Sequence, residues 1–271
     1  MNAAAPLLQV RSLTAAFGGS AGRRAVNGVS FDIGEGEAAG FVGESGCGKS
    51  VMARALMRIA PEGSSVAWGG QVLFRGTDLL ALREDAMRGI RGRRIAMVFQ
   101  DPMSSLNPVM TVGAQIDDIL RRHTGASSRA ARRRTLDLLG LVGIRDPAIR
   151  ANDYPHQFSG GMRQRVMIAI AVSCEPDLLI ADEPTTALDV TVQAQILRLL
   201  IRLRSELGMA LMLITHDFGV IAGMVERVHV MHAGELIESG DTDTLFADPQ
   251  HPCTKALLAA VPTIESARRP A

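Results

Sequence analysis

The stretch that decides the fold is a glycine-rich loop near residue 45, which reads Gly43-Glu44-Ser45-Gly46-Cys47-Gly48-Lys49-Ser50. It fits the pattern Gly-x-x-x-x-Gly-Lys-Ser, in which backbone N–H groups wrap phosphates, the lysine reaches the β- and γ-oxygens, and the serine hydroxyl helps to hold Mg²⁺. Lys49 is one of only two lysines in the chain, and a compact ammonium is not interchangeable with a planar guanidinium in a tight phosphate site. We therefore predict that residues 43–50 bind nucleotide phosphates.

The residues on either side of this loop support that interpretation. Residues 37–42 are short and mostly apolar, as a buried parallel strand is. Residues 51–59 are good helix formers without glycine or proline. A strand, a glycine loop and a helix in this order aim a helix N-terminus at an anion. The alternative, a glycine-rich turn that binds nothing, does not account for these flanking elements.

Composition limits the class of protein. The 271 residues are 47% hydrophobic and 4% aromatic, with a net charge of +1, which favours a soluble α/β protein and gives no indication of a nucleic-acid-binding surface. No apolar stretch approaches the ~18 residues of a membrane helix, and the N-terminus does not resemble a signal peptide. We expect a cytoplasmic protein with reduced cysteines, held at a membrane only by a partner.

Two groups of strands are predicted from the hydrophobic pattern. Residues 8–11 and 29–33 alternate apolar and polar side chains, and residues 66–74 are interpreted as a hairpin that turns at Gly69-Gly70. These predict an antiparallel sheet near the N-terminus. Four apolar strands, buried on both faces as in a parallel sheet, are predicted at residues 94–99, 177–181, 210–214 and 228–231.

The remaining pattern is helical. Apolar residues at helical spacing predict two helices between residues 101 and 165, which we interpret as a helical insert. Residues from 241 onward are expected to form short helices that end in a mobile segment, residues 267–271.

Polar side chains follow three of the predicted parallel strands: Gln100, Asp182 with Glu183, and His216. Open parallel sheets bind ligands at that edge. Asp182 is suited to Mg²⁺ and Glu183 to orienting an attacking water. His216 would contact a γ-phosphate or the water, and Gln100 can contact metal or water. The structural alternatives are a solvated turn at Asp182 and a hydrogen-bonded structural histidine at His216.

A second glycine turn, Ser159-Gly160-Gly161-Met162, opens the apolar residues 166–172. Ser159 can cap a helix there, and the two glycines would let backbone approach a ligand closely. The turn is either an ordinary capped helix start or a second phosphate-binding helix N-terminus. The residues alone do not decide whether two such sites bind one nucleotide or two.

The order of these motifs, with Ala187-Leu188-Asp189 between the predicted strands 177–181 and 210–214, resembles that of the ATP-binding subunits of ABC transporters over nearly the whole chain. The resemblance implies an α/β P-loop NTPase fold of the ABC type, with an N-terminal antiparallel β subdomain and a helical insert. It implies one domain, residues 1–271. The β subdomain and nucleotide-binding core would comprise residues 1–100 and 166–240, the insert residues 101–165, and the tail residues 241–271.

The resemblance also implies ATP and Mg²⁺ as cofactors and assigns the site residues by role. Residues 43–50 would bind ATP, with Phe17 stacked on the adenine. The metal ligands would be Ser50, Gln100 and Asp182. The catalytic residues would be Glu183 as base, His216 as switch histidine, and Gln100.

In this family two ATP molecules are sandwiched in a dimer, which answers the question that the two glycine turns raise. The resemblance implies that the second turn acts on the ATP of the partner subunit, through Ser159, Gly160, Gly161 and Met162. Asp189 would lie at the dimer contact.

Three further stretches, residues 100–108, 181–195 and 251–258, are similar to the dipeptide, oligopeptide and nickel importer group. We expect an ATP-hydrolysing importer subunit for a peptide, for nickel or for another small solute, on the cytoplasmic face of the inner membrane. Its partners would be a second ATPase subunit, identical or paralogous, two permeases and a substrate-binding protein, without nucleic acid. The alternatives are a soluble ABC ATPase acting on nucleic acid or ribosomes, and an exporter ATPase.

Overall fold

The computed structural model describes residues 5–18, 23–61 and 63–259. The chain divides into two compact units, one of residues 1–81 and 212–271 and the other of residues 82–211. Within the described ranges, no helix is both long enough and apolar enough to cross a membrane.

The N-terminal part of the first unit contains the predicted antiparallel sheet. Its elements are β1 (Leu8–Phe17), β2 (Arg23–Ile33), β3 (Ala38–Val42), α1 (Lys49–Leu56), β4 (Val66–Phe74) and β5 (Thr77–Asp78). The sheet has the order β2-β1-β4-β5 with antiparallel pairs. Its inward side chains, such as Leu8, Val10 and Leu13, are buried, so the prediction of this sheet is confirmed.

The predicted hairpin in residues 66–74 is wrong, because β4 is one continuous strand. Its two glycines face an irregularity of β1 between Arg11 and Thr14. Gly70 has a φ of +88°, and a Cβ there would lie 2.3 Å from the carbonyl oxygen of Ser12. Glycine is needed at this position because two strands approach closely at a bulge, and not because the chain reverses.

The second unit combines two strands with the predicted helical segment. Its elements are α2 (Glu84–Arg88), β6 (Ile95–Val98), α3 (Pro102–Ser105), α4 (Val112–Thr124), α5 (Ser128–Leu141), α6 (Pro147–Arg150), a 3₁₀ helix (Pro155–Gln157), α7 (Gly160–Val172), β7 (Leu178–Asp182) and α8 (Val190–Leu207). Strands β6 and β7 are parallel neighbours. The two predicted helices correspond to α4 and α5, which Thr111 and Ser127 cap with their hydroxyls.

The chain returns to the first unit within β8 (Ala210–Thr215). The elements that follow are α9 (Phe218–Ile221), β9 (Arg227–His232), β10 (Glu235–Asp241), α10 (Thr242–Ala247) and α11 (Pro252–Ala259). Four strands are neighbours in one sheet, in the order β10-β9-β3-β8, with β9 parallel to β3 and β10 antiparallel to β9. The predicted strands and the short helices of the tail are confirmed, while the predicted mobile end, residues 267–271, lies outside the described residues.

A buried imidazole lies in the core of the first unit, beside the strand that leads into the glycine loop. The ring of His229 stacks on Phe41 with centroids 4.6 Å apart, and Phe31 lies 5.6 Å away. Its Nδ1 is 2.8 Å from the Ser239 hydroxyl. Burial, and secondarily the charge of Arg227, lower the pKa of His229 to about 4, so the ring is neutral in the folded protein near neutral pH.

Candidate nucleotide site

The glycine loop joins β3 to α1 and encloses the Lys49 ammonium. The side chain is 4% exposed. Its Nζ donates to the carbonyl oxygens of Gly43 at 2.7 Å and Glu44 at 2.8 Å, and it lies 3.6 Å from the Cys47 sulfur. Contacts within its own loop therefore hold the one cationic group of the loop in place.

The N-terminus of α1 has the features of an anion site. Gly48 at the N-cap has no side chain to accept a hydrogen bond, whereas Ser159 and Asp189 cap α7 and α8. The first N–H groups of a helix have no partners within the helix, so an anion can accept from them. Gly48 has a φ of +110°, and a Cβ would lie 2.3 Å from the Ala25 carbonyl oxygen; the position of a Cβ on Gly46 is open. The loop thus fits a phosphate group.

A cavity of about 420 Å³ lies beside this loop within the first unit. Its walls are formed by Phe17, Arg24, Ala25, Gly46, Cys47, Ala233 and Gly234. The β9–β10 turn is tied to the loop, because the Gly234 N–H donates to the Cys47 carbonyl oxygen at 2.8 Å. Phe17, the last residue of β1, lies where an aromatic base could stack. The sequence did not indicate Arg24, Ala233 or Gly234; the left-handed backbone of Ala233, with a φ of +48°, has no clear signal in the sequence.

In the second unit, the predicted polar residues meet at the carboxyl end of β6 and β7. Asp182 ends β7 and is wholly buried. The next carboxylate, Glu183, accepts at Oε2 from Gln100 Nε2 and from the Thr186 hydroxyl, each at 3.0 Å. Thr186 was not anticipated. Glu183 also has a φ of +46°, a conformation that costs a non-glycine residue about 1–3 kcal/mol and is concentrated at functional sites.

Two further predicted site residues, His216 and Ser50, lie in the first unit. His216 follows β8 and is exposed. The next residue, Asp217, caps α9 by accepting from the Gly219 N–H at 2.8 Å. Ser50 lies in the first turn of α1 and is half-buried.

The second glycine turn starts α7. The Ser159 hydroxyl accepts from the Met162 N–H at 3.4 Å, so the predicted cap is present. Gly160 is exposed, and a Cβ there would make only an ordinary contact, 3.5 Å from Leu188 Cδ2. On Gly161 it would lie 2.6 Å from Val192 Cγ1. Gly161 therefore allows α7 to pack closely on α8, a role that the sequence does not indicate. Met162 is half-buried.

The start of α8 is defined by Asp189. Its carboxylate accepts from the Val192 N–H at 2.9 Å and caps the helix. The neighbouring Val190 is 82% exposed, so an apolar side chain next to the predicted dimer contact faces outward.

Comparison with known proteins agrees with this geometry. Residues 26–186, more than half of the chain, match the family described as ABC transporter. The chain is 53% identical over 257 residues to a probable peptide ABC transporter ATP-binding protein of Sinorhizobium fredii, covering 94% of this chain and 77% of the relative. It is 52% identical over 262 residues to the dipeptide transport ATP-binding protein DppD of Bacillus subtilis, covering 96% and 78%.

A solved structure gives the same result. The ATP-binding cassette MJ0796, a dimer in a post-hydrolysis state bound to ADP and Pi, superposes with a TM-score of 0.75 at 30% identity, over 87% of this chain and 98% of that one. The chain therefore belongs to the ABC transporter ATP-binding family. It has the ABC type of P-loop NTPase fold, binds ATP and couples ATP hydrolysis to transport. The relatives favour an importer and do not favour the exporter or nucleic-acid alternatives.

Proposed function

We propose that the chain drives the uptake of dipeptides or oligopeptides through separate permeases. The observation that carries this proposal is 50–53% identity, across nearly the whole chain, to peptide-transport subunits, including the oligopeptide transport ATP-binding protein OppD of Bacillus subtilis. Its partners would be a second ATPase subunit, two transmembrane permeases and a substrate-binding protein. The chain would act as one ATP-binding domain, peripheral at the cytoplasmic face of the inner membrane.

In this proposal residues 43–50 hold the phosphates of ATP. The buried, pre-positioned Lys49 ammonium and the uncapped N-terminus of α1 support the assignment. Phe17 would stack on the adenine in the cavity beside the loop.

Ser50, Gln100 and Asp182 are proposed to hold Mg²⁺. This ion prefers oxygen ligands and usually takes one or two protein carboxylates, with substrate phosphates and water completing its shell. Asp182 would supply the single carboxylate, and it is wholly buried at the end of β7. A bound ion would neutralise charge that develops on the phosphates.

Glu183 is proposed as the general base. Its carboxylate is oriented by two neutral donors, the Gln100 amide and the Thr186 hydroxyl, and can accept a proton from an attacking water. His216 would hydrogen-bond the γ-phosphate or that water. Gln100 would then act both on the base and on the metal.

The second glycine turn and Asp189 are proposed to act between subunits. Ser159, Gly160, Gly161 and Met162 would contact the ATP of the partner after the dimer closes, and the exposure of Ser159 and Gly160 supports this. Movement would pass to the permeases through the surface around Gln100 and the helical segment. Two of its apolar side chains, Met103 and Val109, are 60% and 79% exposed.

The proposal is tested by uptake of labelled dipeptide and of labelled nickel in cells that lack this gene. Wild-type protein should restore dipeptide uptake, and Lys49→Ala should not. The matched control is Lys255→Ala, which removes the other lysine, exposed on α11, and should restore uptake. Equal dipeptide uptake with Lys49→Ala would reject the ATP-driven role, and restoration of nickel uptake alone would reject the peptide substrate.

A further inference from the structure

A cavity of about 220 Å³ in the second unit has an unusual lining, formed by Arg165, Gln195, Arg198, Leu199 and Arg202. Arg165 comes from α7 and the other four residues from α8. None of the five belongs to the proposed nucleotide site. We call this space the arginine cavity.

Two of its guanidinium groups are fixed by the end of α5. Arg165 donates through Nη1 to the Val142 carbonyl oxygen at 2.7 Å and through Nη2 to Gln195 Oε1 at 3.0 Å. Arg202 donates to the Leu141 carbonyl oxygen. Each guanidinium has five N–H donors, so both keep donors for another acceptor while their positions are set by the protein.

The charges around the cavity are not balanced. Glu206 is the one carboxylate that pairs with a lining arginine among the described residues, with its Oε1 3.8 Å from Arg202 Nε. Arg198 is exposed and forms no hydrogen bond or ion pair with any residue of the described ranges. Burial, followed by the charge of Arg202, lowers the pKa of Arg165. Three guanidinium groups and one carboxylate leave an excess of two positive charges.

We propose that the arginine cavity binds a phosphate dianion, either free or as a phosphomonoester. A dianion balances the excess charge, whereas a carboxylate would balance half of it. Guanidinium groups bind phosphate oxygens in a two-pronged geometry. A space of about 220 Å³ accommodates a phosphate group with some hydration.

A purely structural role explains only part of the cluster. Capping of α5 accounts for the contacts of Arg165 and Arg202 with carbonyl oxygens, but not for Arg198, which caps nothing. A bound dianion would bridge α7 and α8, the helices that Ser159 and Asp189 cap.

The test uses the full chain with Lys49→Ala, which weakens phosphate binding at the glycine loop, and compares variants in that same background. Inorganic phosphate and glycerol 2-phosphate are titrated against chloride at equal ionic strength, and the Nε–H resonances of the arginines and the thermal midpoint are followed. Arg198→Gln should weaken phosphate binding by roughly tenfold to a hundredfold, the usual effect of losing a hydrogen bond to a charged group. Arg122→Gln is the matched control, because Arg122 is an exposed arginine of this unit paired with Asp118.

Tighter binding of the ester than of inorganic phosphate would support a phosphorylated ligand, and the reverse order would support free phosphate. Arg198→Lys keeps the charge and should retain part of the affinity, which shows that the position tolerates substitution. The proposal is overturned if Arg198→Gln binds phosphate as tightly as Arg122→Gln, or if chloride produces the same changes. Because none of the arginines of this cavity belongs to the proposed nucleotide site, either outcome leaves the importer proposal unaffected.

Discussion

Acidification should destabilise this protein through His229, the imidazole buried against Phe41. The ring is neutral in the folded state because its pKa is lowered to about 4, against 6.5 for an exposed imidazole. Above pH 6.5 both the folded and the unfolded states hold the neutral ring, so this residue does not make the stability depend on pH there. Between pH 6.5 and 4 the unfolded chain binds a proton that the folded protein excludes, and stability therefore falls as the pH falls.

The size of the effect follows from this difference in pKa. Each unit of pKa difference corresponds to ~1.36 kcal/mol, so the full loss near pH 4 is about 3 kcal/mol, and the loss between pH 7 and pH 5 is about 2 kcal/mol. In a chain of this size, the loss of about 2 kcal/mol between pH 7 and pH 5 corresponds to a fall of roughly 4–8 °C in the thermal midpoint.

The comparison uses wild-type protein and His229→Phe at pH 7, 6 and 5. Phenylalanine cannot be protonated and suits the aromatic contacts, while the exposed Ser239 can turn its hydroxyl to water. The difference in unfolding free energy between the two proteins should change by about 2 kcal/mol from pH 7 to pH 5. The control is His156→Gln, which removes an exposed imidazole. The difference in unfolding free energy between wild type and this variant should be the same at pH 7 and pH 5. Parallel profiles for wild type and His229→Phe would refute the argument.

Three further predictions concern the nucleotide site. Lys49→Ala should abolish tight ATP binding and leave the circular-dichroism spectrum unchanged; unaltered ATP affinity in the folded variant would remove the loop from the site. Glu183→Gln should keep ATP binding, slow hydrolysis by roughly 10²–10⁴-fold, and trap an ATP-bound dimer visible by size; turnover at the wild-type rate would move the base elsewhere, with His216 next. Gly160→Asp should bind ATP nearly normally at its own Lys49 yet hydrolyse it slowly if, as we propose, the second turn acts on the partner's ATP; a fall in affinity to the Lys49→Ala level would show that the turn serves its own chain.

Much of the site could be predicted from the sequence, because parallel strands bring their carboxyl ends to one edge. Gln100 and Glu183 are 83 residues apart in sequence, yet they form a hydrogen bond because they follow β6 and β7, which are neighbours. That inference needed only the apolar character of each strand and the polar residue after it. Thr186, the second donor to Glu183, could not be found in this way, because its contact depends on the left-handed backbone at Glu183 and on the turn that follows.

Glycine gave the least reliable signal, for a physical reason that affects how the dimer should be tested. A glycine can permit a positive φ, a close approach of two backbones, or a close approach of a ligand, and the sequence does not distinguish these causes. Gly70 resembles a turn residue in the sequence but serves a bulge, and Gly161, which we propose to contact ATP, also lies where a Cβ would meet Val192. A substitution at Gly161 would therefore displace α7 from α8 and reduce turnover through packing, whichever subunit's ATP the turn contacts. Gly160 is exposed and has room for a Cβ, so a loss of turnover in Gly160→Asp reports on the contact with ATP and not on the packing of two helices.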